Sequence, residues 1–441
     1  MRRNLIPFFF IITAVFLSAC DLVSELQPNP PTETPTSIAV TPGATAELVS
    51  TPDFDIPVSA TAQPDRLIIW LPPQIVGPND ATTNVLLEQI NTFNNANPEL
   101  SIRVEQKTVS GQGGILSYLR TGSVVAPAIL PDLVAIPVDM LSTAATDNLI
   151  YPLTEMVDTT GLEQLYPAAS EMGQIESQLM GYPFALTDLP HLVYDNSVLT
   201  TTLPLTWQQL IVDENRNMVF AADGTDGAAL ALQFYLDAGG NLFNADGLPI
   251  LELEPLIVTL EQLEMGRETG FLNPASSNLT AYNQTWQLFL SGESNIVRTS
   301  ANYYLNQETT ELPLGFTVTA GIDRPLTPLV NGWAWAVSTS DPAKRLLAVE
   351  LIEELVAPEN LAAWTFESKM LPARRDAFAF WQQSEDPFVN FISPELERAR
   401  PMPVSINSKT MTVLGDAVFQ VVSGSKTAQE AATEAVNALQ S

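Results

Sequence analysis

One cysteine and one histidine bound the chemistry open to this 441-residue chain. Cys20 is the sole thiol, which excludes a disulfide or a cysteine-rich metal site within a monomer. His191 is the sole imidazole, so a two-histidine zinc motif is impossible and His191 reads as a structural residue. No G-x-S-x-G nucleophile elbow occurs, and no cofactor is expected. Carboxylates are the abundant reactive type: 50 acidic against 19 basic residues give a formal charge of −31. Paired carboxylates could run glycoside hydrolysis, but at this density chance pairs are plentiful and no spacing singles one out. So acidic a surface disfavours nucleic acid and anionic lipid, which need a positive patch, and it gives anionic ligands no long-range steering.

The chain's first segment is addressed to export. Arg2 and Arg3 form a positive start, and Leu5 to Leu17 is an apolar run of signal-peptide length, too short to span a bilayer, which takes about 20 residues. It ends in Leu17-Ser18-Ala19-Cys20, which resembles the lipobox of bacterial lipoproteins, where cleavage precedes the cysteine and its thiol carries a diacylglycerol. An ordinary signal peptide that happens to hold a cysteine is the competing reading. From Asp21 to Gln63 there is one aromatic, Phe54, and no Lys or Arg, while Pro and Thr recur. Such a stretch cannot bury enough apolar surface to offset its ordering entropy, and proline keeps it extended. It reads as a stalk.

The texture changes at Leu67. Leu67-Ile68-Ile69-Trp70-Leu71 is a continuous apolar run, as a buried parallel strand would have. Asp80 is placed to cap a helix that aligns Leu86, Ile90 and Phe93 and ends at Asn97-Pro98. Ile102 to Glu105 alternates like a strand, and Pro131-Asp132 leads into another short apolar run. Strand, helix, strand, helix, strand at this spacing predicts α/β layers about a parallel sheet. Further on, Thr206-Trp207-Gln208-Gln209 and Thr427-Ala428-Gln429-Glu430 have capping-box form, and Asp341-Pro342 opens a helix carrying Leu347, Leu351 and Leu355 on one stripe. In the last helix Ala428, Ala432, Val436 and Leu439 repeat at helical spacing.

The order of these segments resembles the extracellular solute-binding proteins of family 1, the group containing maltose-binding proteins. The resemblance rests on Asn97-Pro98-Glu99, Pro131-Asp132-Leu133, Leu149 to Leu153, and Gly181-Tyr182-Pro183-Phe184 through Tyr194-Asp195-Asn196. It continues in Leu205 to Leu210, Leu290 to Val297, Gly332 to Val337 and Leu371-Pro372-Ala373-Arg374, and so covers nearly the whole body. Asp195 departs from the family's pattern, as do the acidic or small residues after Gly292 and the scarcity of lysine.

The resemblance implies an α/β, two-lobed periplasmic-binding-protein-like fold of type II, each lobe a mostly parallel sheet flanked by helices, joined by crossing strands. The expected division is a signal peptide over 1–19, a lipidated cysteine and disordered stalk over 20–64, one lobe over 65–185 and 310–357, and a second over 186–309 and 358–441. Such a body closes on a small solute, here a carbohydrate, and hands it to the permease subunits of an ABC importer. The expected state is a monomer on the outer face of the cell membrane. A sugar offers hydroxyl rims and apolar ring faces, so its site needs aromatic plates with carboxylates or amides. The resemblance places Thr187 and Asp188 at a ligand-contacting position on the crossing strand, a surface turn being the alternative. Tyr303 and Tyr304 fall in a loop where the family sets an aromatic plate, and Asn331 and Trp333 where the chain re-enters its first lobe. Trp333 and Trp335 share a face on a strand; Trp333 is read as cleft-facing and Trp335 as core. Trp286, Asp139 and Trp70 are further candidates. Arg298, Arg374 and Arg375 would admit an anionic solute if one faced the cleft, with ion pairing as the alternative. A tethered sensor or scaffold, or an exported glycan hydrolase, are the other readings.

Overall fold

The computed structural model describes residues 54–55, 65–77, 79–111, 113–125, 129–200, 203, 206–307, 311–381 and 386–441. The leader, Cys20 and nearly all of the stalk lie outside them. The exception is β1 (Phe54–Asp55), which pairs antiparallel with the strand carrying Arg103 and Val104, so this part of the expected tether joins a sheet.

The apolar run becomes β2 (Asp65–Leu71), followed by β3 (Leu100–Gln106) and β4 (Leu133–Pro137). β2 lies parallel to both. Leu67, Ile69 and Leu71 join one apolar core and Ile68 and Trp70 another, on the opposite face of the strand. A strand buried on both faces has no polar side, which is why the run is unbroken. A hairpin of β5 (Gln174–Ile175) and β6 (Gln178–Leu179) precedes β7 (Tyr182–Asp188). One residue later the chain starts β8 (Pro190–Asp195) in a second sheet, completed by β9 (Met218–Val219), β10 (Ile296–Ser300) and β11 (Leu314–Thr317). β12 (Leu329–Val337), β13 (Leu371–Pro372) and β14 (Arg400–Pro401) return to the first.

The larger sheet has the order β1-β3-β2-β4-β12-β7-β13, with β14 also on β12, and the smaller β11-β8-β10-β9. Both are mixed rather than mostly parallel. β12 runs antiparallel to β4 and β7, and β8 antiparallel to β10 and β11. Strands that enter from the other sheet arrive from its side, and that fixes their direction against β2 to β4.

Packing also redraws the expected halves. Leu361 and Trp364 of the helix Pro358–Ser368, and Phe388 and Ile392 of the helix Pro387–Arg398, sit in the core of the larger sheet. The intervening β13 pairs with β7, which holds this stretch on the larger sheet instead of sending 358–441 wholesale to the second lobe. Conversely β11 pairs with β8, so the return to the larger sheet comes after it rather than at 310. The helices Lys409–Val422 and Ala428–Gln440 cover the smaller sheet with Leu414, Val418, Ala431 and Ala435.

Helix starts obey local chemistry with two adjustments. Asn79, not Asp80, caps the helix Asp80–Ala96 by accepting the Thr82 N–H at 2.8 Å; Asp80 sits in the first turn, where a negative charge suits the helix dipole. Thr206 precedes the helix Trp207–Ile211 without a side-chain cap bond. Asp341 caps its helix and Thr427 with Glu430 forms a full capping box, as their spacing predicts.

Candidate functional site

In open α/β sheets the space beyond the carboxyl ends of the parallel strands is where ligands bind. Here those ends converge. β4 finishes at Pro137 opposite Trp333, so Leu329 to Gly332 of β12 extend past it, with Asp188 of β7 opposite Val330. In the smaller sheet β10 finishes at Ser300 opposite Pro190. The two-residue step from Asp188 to Pro190 therefore stands at the carboxyl edge of both sheets, between them.

Asp188 is held there by amides. Its Oδ2 accepts from Asn331 Nδ2 at 2.9 Å and from Thr187 Oγ1 at 3.4 Å, and its backbone N–H donates to Asn302 Oδ1 at 2.8 Å. Its backbone is left-handed, φ 72°, as is that of Leu189, φ 45°; consecutive positive φ values are costly for residues bearing a Cβ and mark a functional constraint. Burial raises the Asp188 carboxyl above its usual range, with the bonds from Asn331 and Thr187 opposing. No cation pairs with it among the described residues.

Asp188, Pro190, Thr225, Asp226, Tyr282 and Met402 line a cavity of about 70 Å³. Thr225 and Ile406 connect it to a wider recess of about 360 Å³ that carries Asp223, Asn407, Met411 and Asp416. Asp226 opens the helix Thr225–Asp237 and Tyr282 the helix Tyr282–Leu290. The Tyr282 hydroxyl donates to Asp226 Oδ1 at 3.0 Å, and burial pushes the phenol well above its usual range. Asp226 Oδ1 is also in direct contact with the buried Arg298 guanidinium, which donates on to Gln233 Oε1 at 2.8 Å.

Of the other sequence candidates, Trp286, Tyr303 and Tyr304 are brought together in one cluster, and the rest lie apart from it. Trp333 is 9 % exposed and lies in the core with Trp335, which stacks on Phe184 with ring centroids 4.8 Å apart. The shared face of the two tryptophans is the core face, because the helix Pro358–Ser368 brings Trp364 against Phe184 there. Trp286 is buried against Phe289, Tyr303 and Tyr304. Tyr304 packs on Phe388 and Phe316, and together with Trp286 it lines a separate cavity of about 530 Å³, which shares no residue with the two recesses. Tyr303 lies between Tyr282 and Trp286, at the margin of the Asp188 site. Trp70 is buried edge-on to Tyr118 beneath Lys107, and Asp139 is exposed in the turn Val138–Met140 just beyond β4. Thr187, Asp188 and Asn331 are thus brought together at one place and Trp286 with Tyr304 at another, while Trp333 and Trp70 line neither cavity.

The three arginines are all ion-paired: Arg298 to Asp226, Arg374 to Asp376 and Arg375 to Glu397. His191 is fully buried in a nest of Tyr304, Phe316, Phe388 and Phe391, and burial lowers it to about 4. Sequence reasoning missed Asp226 and Tyr282. The one signal was an acid in the first turn of an otherwise apolar helix, Thr225-Asp226-Gly227-Ala228-Ala229-Leu230.

The family model described as bacterial extracellular solute-binding protein matches residues 88–389, more than half of the chain. The chain belongs to the bacterial extracellular solute-binding proteins. Among solved structures this solute-binding protein is similar to the extracellular solute-binding protein family 1 member from Alicyclobacillus acidocaldarius (TM-score 0.69, 16% identity, 86% of this chain and 99% of that one covered). It is also similar to the Staphylococcus aureus extracellular solute-binding protein in complex with maltose (0.66, 18%, 86% and 98%). A third is the cyclic alpha-maltosyl-1,6-maltose binding protein of Arthrobacter globiformis (0.64, 15%, 85% and 98%). At these identities the likeness is one of fold: a two-lobed, mixed α/β binding protein. No curated protein matches the sequence. The family is extracellular and its members are binding proteins, and no helix among the described residues is long and apolar enough to cross a membrane.

Proposed function

We propose that this solute-binding protein captures a carbohydrate between its two sheets and delivers it to the permease of an ABC importer. The observation that carries the reading is Asp188: a half-buried carboxylate, oriented by Asn331, at the carboxyl ends of both sheets. A half-buried acid with spare acceptor capacity suits a sugar hydroxyl, and Tyr282 lines the same cavity beside it. The maltose and cyclic maltosyl-maltose named for the structural neighbours favour the same class. Three chain crossings join the halves, at Asp188–Pro190, between β11 and β12, and after β14, a geometry suited to hinge closure over a ligand. In the same reading Cys20 carries the lipid that keeps the monomer at the outer face of the membrane, with the 21–63 stretch as its stalk.

The test is calorimetry on the full-length chain in detergent, titrated with maltooligosaccharides, other oligosaccharides, polyols and amino acids. A carbohydrate that binds without being cleaved, and that Asp188→Ala weakens at least tenfold, supports the reading. Binding of amino acids alone, turnover of the sugar, or an unchanged affinity in Asp188→Ala removes it. Cys20→Ser should release the protein into the medium, which fractionation of the producing cells detects.

A further inference from the structure

Sugar recognition needs ring faces as well as hydrogen bonds, and the space at Asp188 is poor in rings. Tyr282 is the one aromatic among the described residues lining the 70 Å³ cavity, and the adjoining 360 Å³ recess has none. The rings line the separate cavity beside Tyr304. Its volume of about 530 Å³ falls within the ~300–1,000 Å³ common for small-molecule sites.

Both halves of the molecule supply its walls. Tyr304 follows β10 and Phe316 belongs to β11, on the smaller sheet; Phe366 and Trp381 flank β13, on the larger one. The rings form two groups. Trp286, Phe316 and Phe388 gather round Tyr304, with centroids 6.0, 5.1 and 4.3 Å from it, and Phe366 meets Trp381 edge-on at 6.0 Å. No ring contact joins the two groups among the described residues, and the cavity is the gap between them. Tyr304, Phe316 and Phe366 are only half-buried, so each side keeps open ring surface. A gap of this size is not a packing void, which seldom exceeds a water.

Polar groups stand among the rings. Lys369 holds its ammonium 4.4 Å from the Phe366 centroid and pairs with no carboxylate among the described residues, in a chain of only 19 basic ones. Its backbone is left-handed, φ 58°. Glycine or asparagine suits such a helix end without strain; lysine puts a cation into the wall instead, and a strained residue of this kind points to function. The Tyr304 hydroxyl has no hydrogen-bond partner among the described residues, and the charge of Asp386 adds to burial in pushing the phenol up to about 12. Asp386 accepts the Phe388 N–H at 2.7 Å and keeps further lone pairs. Donors and acceptors set about open ring faces complement a pyranose, whose hydroxyls do both and whose C–H face is apolar.

We infer that this cavity is a second carbohydrate site, in which a pyranose ring packs between Tyr304 and Phe366 with its hydroxyls on Lys369, Tyr304 and Asp386. The inference takes its ligand class from the carbohydrate reading above and adds a site to it. Because each half supplies a wall, a sugar seated here bridges them.

The test is calorimetry with parallel tryptophan fluorescence on the full-length chain in lipid nanodiscs, titrated with glucose, maltose, maltotriose and cellobiose. Trp286 and Trp381 line this cavity and no tryptophan lines the space at Asp188, so emission reports here. Wild type is expected to bind two equivalents of sugar. In Asp188→Ala one should remain, with its change in emission. Adding Lys369→Asn, which tolerates the left-handed backbone, should weaken that event, and adding Phe366→Leu as well should bring the loss to at least tenfold. A melting temperature within a few degrees of Asp188→Ala shows that these variants are folded. A single equivalent that Asp188→Ala abolishes, or binding that the Lys369 and Phe366 changes leave unmoved, overturns this inference and leaves the carbohydrate reading standing. A single equivalent that only those two changes abolish supports this cavity and removes the Asp188 reading. No binding by any carbohydrate overturns both.

Discussion

The backbone N–H of Asp188 and the backbone carbonyl of Lys369 are both bonded, at 2.8 Å, to the side-chain amide of Asn302. Asn302 belongs to the helix Ala301–Leu305 beside the smaller sheet, whereas Lys369 ends the helix Pro358–Ser368 on the larger one. Asp188, Leu189 and Lys369 are three of the six non-glycine residues with positive φ among the described residues. One amide thus holds two of them and abuts the third. Local strain persists where the surroundings over-determine it, and Asn302 supplies that restraint at the step between the sheets.

Replacing Asn302 therefore tests the restraint. Asn302→Ala leaves a backbone donor and a backbone acceptor without partners and should cost about 1–3 kcal/mol. Asn302→Asp keeps the acceptor for Asp188 but sets a carboxylate oxygen against the Lys369 carbonyl and a second negative charge beside Asp188, so its loss should be at least as large. Urea unfolding measures both. Solute affinity should fall more in Asn302→Ala, because Asp188 loses its anchor.

Asp188→Asn should raise the stability of the ligand-free protein at pH 7 while weakening solute binding. The folded carboxyl titrates above its ordinary value, so ionisation is penalised in the folded state. Wild type therefore loses stability as pH rises from the ordinary carboxylate value of about 3.9 through the folded one. The variant escapes that loss, and asparagine also tolerates left-handed φ better than most residues. Melting temperatures of the two proteins should converge at acid pH and separate towards neutrality. A constant gap across pH would assign the whole effect to backbone conformation.

The Arg298–Asp226 pair should behave as a buried ion pair does when one partner is removed. Asp226→Ala strands the guanidinium and should cost about 3–5 kcal/mol. The double variant Asp226→Leu with Arg298→Met removes both charges and should regain most of that loss, which denaturant titration resolves.

Trp333 should act on stability and not on affinity. It lies in the core of the larger sheet, so Trp333→Ala should cost about 3–5 kcal/mol through the cavity it leaves. At a temperature where the variant remains folded, its solute affinity should lie within threefold of wild type. A tenfold loss measured on the folded variant would return Trp333 to the binding site.

Much of the frame was legible because it is local. The Leu67–Leu71 run, the Leu86-Ile90-Phe93 stripe, the Asp341 cap and the Thr427–Glu430 box are decided by residues within a turn or a strand of one another, and the structure keeps them. Thr187, Asp188 and Asn331 were reached through the family's order of segments, and β7 with β12 does bring them into hydrogen-bonding contact. Cap assignments slipped where two polar residues adjoin, as at Asn79 and Asp80, since either can in principle accept the first free N–H.

The sequence by itself determined the periodicities, the caps, the poverty of basic groups and the shared face of Trp333 and Trp335. Only the tertiary structure decided that this face is the core, because Phe184 and Trp364, remote along the chain, are what close over it. It alone set the direction of β12, which depends on where the chain returns from rather than on the strand's own residues. It alone joined Asp226 to Arg298, 72 residues apart, in the wall of the cavity that Asp188 also lines. A strand's pattern says which side chains lie together; which sheet edge they meet is fixed by long-range packing, and the site is made of such meetings.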